Sequence, residues 1–252
     1  MKIAVRGGHN FQATGAVGLI DETTEDRKVK DSVIKYLKQL GHEVLDVTPG
    51  NMDSDSDLLY GVSKANNWGA ELFISIHFNK AYNSYTGAIG SETWVYSKSD
   101  QFNDEVYAQR IVNGLGGLGF KNRGVKERTD LYELKNTKMP AVIVEVCFVE
   151  ATEDVALYKK LGSDLIGKNI AESIANKKIV EKVEYDMNKI VVYFGDADLF
   201  GAVMVAQKNQ CPLMKLSDYK ASGLKAKEVI QIGGKPTDTN RYVTFKNAAA
   251  LV

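Results

Sequence analysis

Histidine and cysteine are both scarce in this chain. Its 252 residues hold three histidines, His9, His42 and His77, and two cysteines, Cys147 and Cys211. Any imidazole-based site must therefore be built from very few positions. The two thiols sit in apolar surroundings in separate parts of the chain, which points to buried free cysteines and away from a disulfide framework. An excess of either charge is also missing: 32 Lys+Arg balance 32 Asp+Glu. The basic surplus that phosphate backbones attract is absent, so nucleic acid is not an expected partner. No apolar run reaches the roughly 18 residues of a membrane span, and no membrane insertion is expected. Met1-Lys2-Ile3-Ala4-Val5-Arg6 lacks the apolar region and cleavage site of a signal peptide. The chain is thus expected to be made in the cytoplasm and to need a separate release route for any work outside. What remains, 44% hydrophobic and 25% charged residues, is the profile of an ordinary globular protein of one or two domains.

Strands and helices alternate in the pattern of residues. Residues 3–5 read as a buried strand that runs into a glycine-rich loop, 7–18. Val29, Val33, Ile34, Leu37 and Leu40 repeat at helical spacing over 22–40, and Gly41 is a natural stop. Strands are expected at 43–47, 71–76, 93–96, 131–134 and 141–148. Helices are expected at 57–68, capped by Asp55 or Ser56, at 103–118, and at 153–174 with a break near Gly162. The segment 81–91, rich in Gly, Ser, Asn and Tyr, reads as a mobile loop. The run at 141–148 is almost wholly apolar, as in a strand buried on both faces. This predicts an α/β fold: a mainly parallel twisted sheet flanked by helices, spanning 1–176. A charged linker over 177–189 follows, then a second small α/β domain over 190–252. That domain has strands at 190–194, 211–214 and 229–232 and helices at 197–207 and 240–252. So short a segment makes a small core, and self-association through it is one way to complete that core.

Three stretches carry the chemistry. Arg6-Gly7-Gly8-His9-Asn10 and Ser75-Ile76-His77-Phe78-Asn79 each set a histidine just past or at the end of a predicted strand. Such strand ends share one edge of a parallel sheet, where ligands collect. Glu22 and Glu25, three apart at the start of the first helix, are the candidate carboxylates to join them. Two imidazoles and one carboxylate suit a catalytic zinc ion, which keeps a fourth position open. Glu145 lies inside the apolar run Val142-Ile143-Val144-Glu145-Val146. A carboxylate there needs compensation, and a nearby cation would supply it. Glu145 is then the expected general base toward an attacking water and proton donor to a leaving amine. Taken singly, each residue has a plainer reading. His77 fits a hydrogen-bonded core histidine, the glutamates fit helix N-terminal charges, and Glu145 fits a buried ion pair with Arg or Lys. His42, just past a helix stop, is assigned a structural role. Neither Gly15-Ala16-Val17-Gly18 nor Gly233-Gly234-Lys235-Pro236 matches a phosphate-binding loop.

Together with Gly15-Ala16-Val17-Gly18, Asn122-Arg123-Gly124-Val125 and Val144-Glu145-Val146-Cys147-Phe148, these stretches resemble the zinc-dependent N-acetylmuramoyl-L-alanine amidases of the amidase-3 type, and among them clostridial phage endolysins and related autolysins. The resemblance covers about 1–176. It implies zinc held by His9, a glutamate and His77, a catalytic Glu145, and hydrolysis of the amide between muramic acid and L-alanine in peptidoglycan. In that family the glutamate precedes a helix of fixed length ending at Gly, so the resemblance, counted back from Gly41, favours Glu22 over Glu25. Residues 190–252 resemble the small wall-binding domains of such lysins through Ile190-Val191-Val192-Tyr193, Cys211-Pro212, Ile232-Gly233-Gly234 and Asn240-Arg241-Tyr242. This implies a cell-wall polymer as partner, with Tyr193, Tyr219 and Tyr242 as candidate sugar-stacking residues. For a phage protein the implied exit is a holin-type pore. Met187, in the expected linker, is a candidate start for a separately translated binding domain. The competing readings are a non-catalytic or regulatory wall-binding protein and another zinc hydrolase of the wall, such as a carboxypeptidase or deacetylase.

Overall fold

The structure, a computed structural model, describes residues 1–99, 102–179, 185–238 and 240–252. It divides into two compact units, Met1–Ile179 and Val180–Val252. The first unit runs β1 (Lys2–Gly7), α1 (Glu22–Gln39), β2 (Glu43–Asp46), α2 (Ser54–Trp68), β3 (Leu72–Asn79), β4 (Ser91–Val95), α3 (Asp104–Gly117), β5 (Asn122–Glu127), α4 (Tyr132–Asn136), β6 (Ala141–Phe148) and α5 (Thr152–Ala175).

Its six strands form one sheet in the order β2-β1-β3-β6-β4-β5. All neighbours are parallel except β4 and β6, which run antiparallel. The sheet is thus mixed but mostly parallel. The period of two along each strand sorts side chains between two cores. Ile3, Val5, Ile74, Ile76, Val144 and Val146 meet Val29, Val33 and Leu37 of α1, Ile111 and Leu115 of α3 and Ile166 and Ile170 of α5. Ala4, Phe73 and Ile143 face the other way, toward Ala65 of α2 and Leu134 of α4. Each such buried aliphatic or aromatic side chain contributes roughly 1.5–3 kcal/mol. The near-continuous apolar run of β6 is explained by its place between β3 and β4, with a core on each side.

Local chemistry sets the element ends. Asp21 caps α1 by accepting a hydrogen bond from the Thr24 N–H at 2.8 Å. α2 begins earlier than the sequence suggests, because Asp53 caps it through the Ser56 N–H at 3.0 Å, and Asp55 and Ser56 are helical. α5 breaks at Gly162, whose φ of 78° only glycine adopts freely. One expected strand is absent, one strand is additional, and the loop 81–91 is held by hydrogen bonds. Residues 131–134 are not a strand: Tyr132–Asn136 form the short helix α4, since local alternation of apolar and polar residues does not decide period over so few positions. β5 was not foreseen, because Asn122, Arg123 and Glu127 are exposed and break the apolar signal. The segment 81–91 is tied down along its length. The N–H groups of Ala81 and Tyr82 donate to the Glu150 side chain, that of Gly87 to Thr152, and those of Ile89 and Gly90 to Asp154.

The second unit runs β7 (Met187–Tyr193), a 3₁₀ turn at Asp196–Asp198, α6 (Leu199–Asn209), β8 (Leu213–Lys215), α7 (Leu216–Ser222), β9 (Ala226–Ile232) and α8 (Arg241–Ala249). The three strands are parallel in the order β8-β7-β9. Val191, Ala202, Val205, Ala206, Ile232 and Ala248 form a small core. Of the expected linker 177–189, residues 180–184 lie outside the described residues, and Met187 is already the first residue of β7, paired with Ala226. α7 was not foreseen. Both cysteines are free, Cys147 buried and Cys211 half-buried.

Candidate metal centre

β1 and β3 are parallel neighbours, with Gly7 opposite Ile76. This register brings the loop after β1, carrying His9, beside His77 near the end of β3. The helix α1 starts against the same edge and presents Glu22 as its first residue. The His9 and His77 rings stand 5.1 Å apart, edge to face. Glu22 Oε1 lies 3.1 Å from His77 Nδ1 and 3.4 Å from His9 Nε2. Among the described residues, His9, Glu22 and His77 form the one group of donors able to share an ion, each offering an atom within 4.8 Å of the others. Glu25 points elsewhere: it pairs with Lys28 at 2.8 Å and accepts the Tyr158 hydroxyl at 2.6 Å. His42 is half-buried beyond the end of α1 and takes no part.

The glycines of the first loop are demanded by this crowding. A Cβ on Gly8 would stand 2.0 Å from His77 Cε1, and one on Gly15 would stand 2.4 Å from Glu22 Oε2. Neither glycine has a positive φ, so close approach, not backbone conformation, is the constraint. Glu22 is oriented by two backbone donors, the Phe78 N–H to Oε1 at 3.0 Å and the Ala16 N–H to Oε2 at 2.7 Å. Burial works to raise its carboxyl, but the hydrogen bonds to His77 and His9 outweigh burial and hold it far below the usual range. Burial likewise opposes a charged His77, yet Glu133 and Glu22 push that imidazole well above its ordinary value.

Glu145 on β6 is the register partner of His77 on β3 and of Glu92 on β4. Its Oε2 is buried with no hydrogen-bond partner. Burial pushes its carboxyl up to about 8; the charge of His77 opposes this and Glu22, Glu92 and Glu133 add to it. The plainer reading, an ion pair with a buried arginine, does not hold. The fully buried Arg6 turns to Asp57 and to Glu133, 3.0 Å away. Glu92 is neutralised separately by Arg123 at 2.7 Å and by Lys126. His9, His77 and Glu145 share a cavity of about 300 Å³ with Glu133, Asp57, Leu131 and Tyr132. His9 has a side chain 34% exposed and His77 one 14% exposed, so His9 stands nearer the mouth.

Sequence reasoning missed Glu133, Asp57 and Glu92. Each is buried, but each is a lone acidic residue in a mixed segment, and nothing in its neighbours marks it. The donor set fits zinc. Ligands about 2.0–2.1 Å from one tetrahedral ion sit roughly 3.3 Å from one another, close to the two separations that Glu22 Oε1 makes here. The orphaned Glu145 Oε2 is a second sign that a positive charge belongs nearby.

Two imidazoles and a carboxylate at the edge of a mostly parallel sheet, with a further carboxyl beside them, define the kind of centre used by mononuclear metallohydrolases. The chain belongs to the Amidase_3 family, N-acetylmuramoyl-L-alanine amidase, whose model matches residues 3–176. It is 59% identical over 185 residues to an uncharacterized protein of Clostridium perfringens strain 13, covering 73% of this chain and 54% of that one. It is 32% identical over 163 residues to the endolysin of Bacillus phage SPP1, covering 61% and 56%. The chain thus spans little more than half the length of these curated relatives. Among solved structures, the catalytic domain of the CD27L endolysin targeting Clostridia difficile superposes with a TM-score of 0.63 at 30% identity, covering 71% of this chain and 99% of that domain.

Proposed function

We propose that the chain is a zinc-dependent peptidoglycan amidase that cleaves the bond between N-acetylmuramic acid and L-alanine, in the manner of an endolysin. The observation that carries this reading is Glu22 Oε1 standing between His77 Nδ1 and His9 Nε2, with Glu145 across the β3–β6 pair. Family membership over residues 3–176 supplies the substrate class. His9, Glu22 and His77 are the ligands. Zinc bound there supplies Lewis-acid polarisation of the scissile carbonyl and of a water. Glu145 Oε2 accepts the proton of the attacking water and returns it to the departing alanine nitrogen. The backbone donors on Glu22 fix the carboxylate, and the cavity walls hold the substrate amide against the ligands.

The second unit is proposed to bind a wall polymer and to pair with a second copy. Tyr193 and Tyr219 are half-buried, and the Tyr219 hydroxyl accepts the Ala226 N–H at 3.1 Å. Tyr242 is 86% exposed, which leaves its ring free for sugar stacking. Among the described residues no helix is long and apolar enough to cross a membrane.

Digestion of purified peptidoglycan tests the activity. The amidase releases intact peptides with a new L-alanine amino terminus. Freed acetate with peptides still attached would instead mark a deacetylase, and loss of a terminal amino acid a carboxypeptidase. Binding without cleavage would favour the non-catalytic reading. Sedimentation with cell walls, comparing the wild type with Tyr242→Ala, tests targeting.

A further inference from the structure

We propose that Ser75 and Glu133 are positioning residues for the metal centre, holding His77 in the tautomer that leaves Nδ1 free for the ion. The inference rests on zinc being held by His9, Glu22 and His77. The His77 ring has two nitrogens with different surroundings. Nδ1 faces the donor cluster, 3.1 Å from Glu22 Oε1. Nε2 faces the opposite way, 3.0 Å from Ser75 Oγ and 3.7 Å from Glu133 Oε2. Ser75 Oγ also lies 3.3 Å from Glu133 Oε1.

Proton counting fixes the direction of this chain. A carboxylate only accepts, and a serine hydroxyl has one proton to give. Ser75 therefore donates to Glu133 and accepts from His77, which places the ring proton on Nε2. Nδ1, which hydrogen-bonds to Glu22 Oε1 in the zinc-free protein, is then the nitrogen that gives up its proton to a bound ion, while Nε2 keeps its own. The reverse polarity would put the proton on Nδ1, where no cation could bind. A carboxylate behind a metal-binding histidine, reached here through a hydroxyl, is a recurrent means of fixing ring orientation and raising ligand basicity.

Glu133 is itself held. Arg6, with no exposed surface, pairs with it at 3.0 Å and with Asp57. The same guanidinium donates to the carbonyls of Gly8 at 2.9 Å and Gly7 at 3.0 Å. These carbonyls begin the loop that carries His9. One buried cation thus fixes both the carboxylate behind His77 and the backbone ahead of His9. Neutralising Arg6 alone would not need Glu133 to face the Nε2 side of His77.

Nitrogen-15 NMR of the full-length wild type tests this, since three histidines give three rings. On adding zinc, His77 should show a metal-shifted Nδ1 and a protonated Nε2. In a chelator competition, Ser75→Ala and Glu133→Gln should each weaken zinc binding about 10–100-fold. The zinc-free melting temperature should stay near that of the wild type in Ser75→Ala and fall in Glu133→Gln, where the buried Arg6 loses a charged partner. Metal coordination through Nε2, or wild-type affinity in either variant, overturns the proposal while leaving the metal centre intact. A wild-type chain that takes up no zinc overturns the centre and this inference together.

Discussion

His77 and Glu145 are register partners in the parallel pairing of β3 with β6, so both side chains leave the sheet on one face. The proposed ligand and the proposed base are thereby set side by side by the strand register. Glu145→Gln keeps the shape of that face and removes the proton acceptor. Amidase activity should fall by roughly 10²–10⁴-fold with zinc content unchanged, read by counting new L-alanine termini beside metal analysis. Full activity in this variant would refute the assigned base.

Glu22 and Glu25 should behave as different classes of residue. Glu22→Ala is expected to lose zinc and activity together. Glu25→Ala should keep both and cost about 1–3 kcal/mol of stability through its lost bond to Tyr158. Metal analysis and denaturant titration of the two variants separate these outcomes.

Removing the metal should also be visible without substrate. At zinc concentrations about 100 times the dissociation constant, binding to the folded state adds about 2.7 kcal/mol. A chelator should therefore lower the melting temperature as it abolishes lysis, and added zinc should restore both. An unchanged melting temperature would argue against a folded-state zinc site.

Gly8→Ala tests the crowding around His77. The added methyl would fall 2.0 Å from the ring, so the imidazole must move. A displacement near 1 Å at the reacting centre costs roughly 100-fold in rate. Gly50→Ala, where an added Cβ meets nothing within 4 Å, is the control and should leave activity alone.

Asp26 gives a pH signature in the zinc-free protein. Burial raises its carboxyl from 3.8 to about 6, against the pull of Arg27. The folded state holds this proton more tightly than the unfolded state does. The stability contribution is therefore full below about pH 4 and is lost as pH rises through 6. The change is about 3 kcal/mol for a shift of about two units. Asp26→Asn should lack that loss, so its stability relative to the wild type should climb between pH 4 and 7. Parallel pH profiles for the two proteins would exclude it.

Much of the site was legible because its residues interrupt strong patterns. His9 follows a buried strand, and Glu145 breaks an apolar run. Glu22 was separated from Glu25 only by the family's spacing. The structure supplies the physical reason: helix rotation turns Glu22 to the histidines and Glu25 to α5. Glu133 was hidden because its segment reads equally as strand or helix over four residues. The antiparallel turn of β4 was equally hidden, since strand direction depends on the whole course of the chain and not on local composition.

The order β2-β1-β3-β6-β4-β5 has one more consequence. β6 is the last of the six strands to be synthesised, yet it must lodge in the middle of the sheet. A nascent chain that has not yet reached Ala141 owns all three candidate metal donors but lacks Glu145 and has an unfilled gap between β3 and β4. The candidate donors and the carboxyl that faces them are therefore brought together only when the last strand of this sheet is in place.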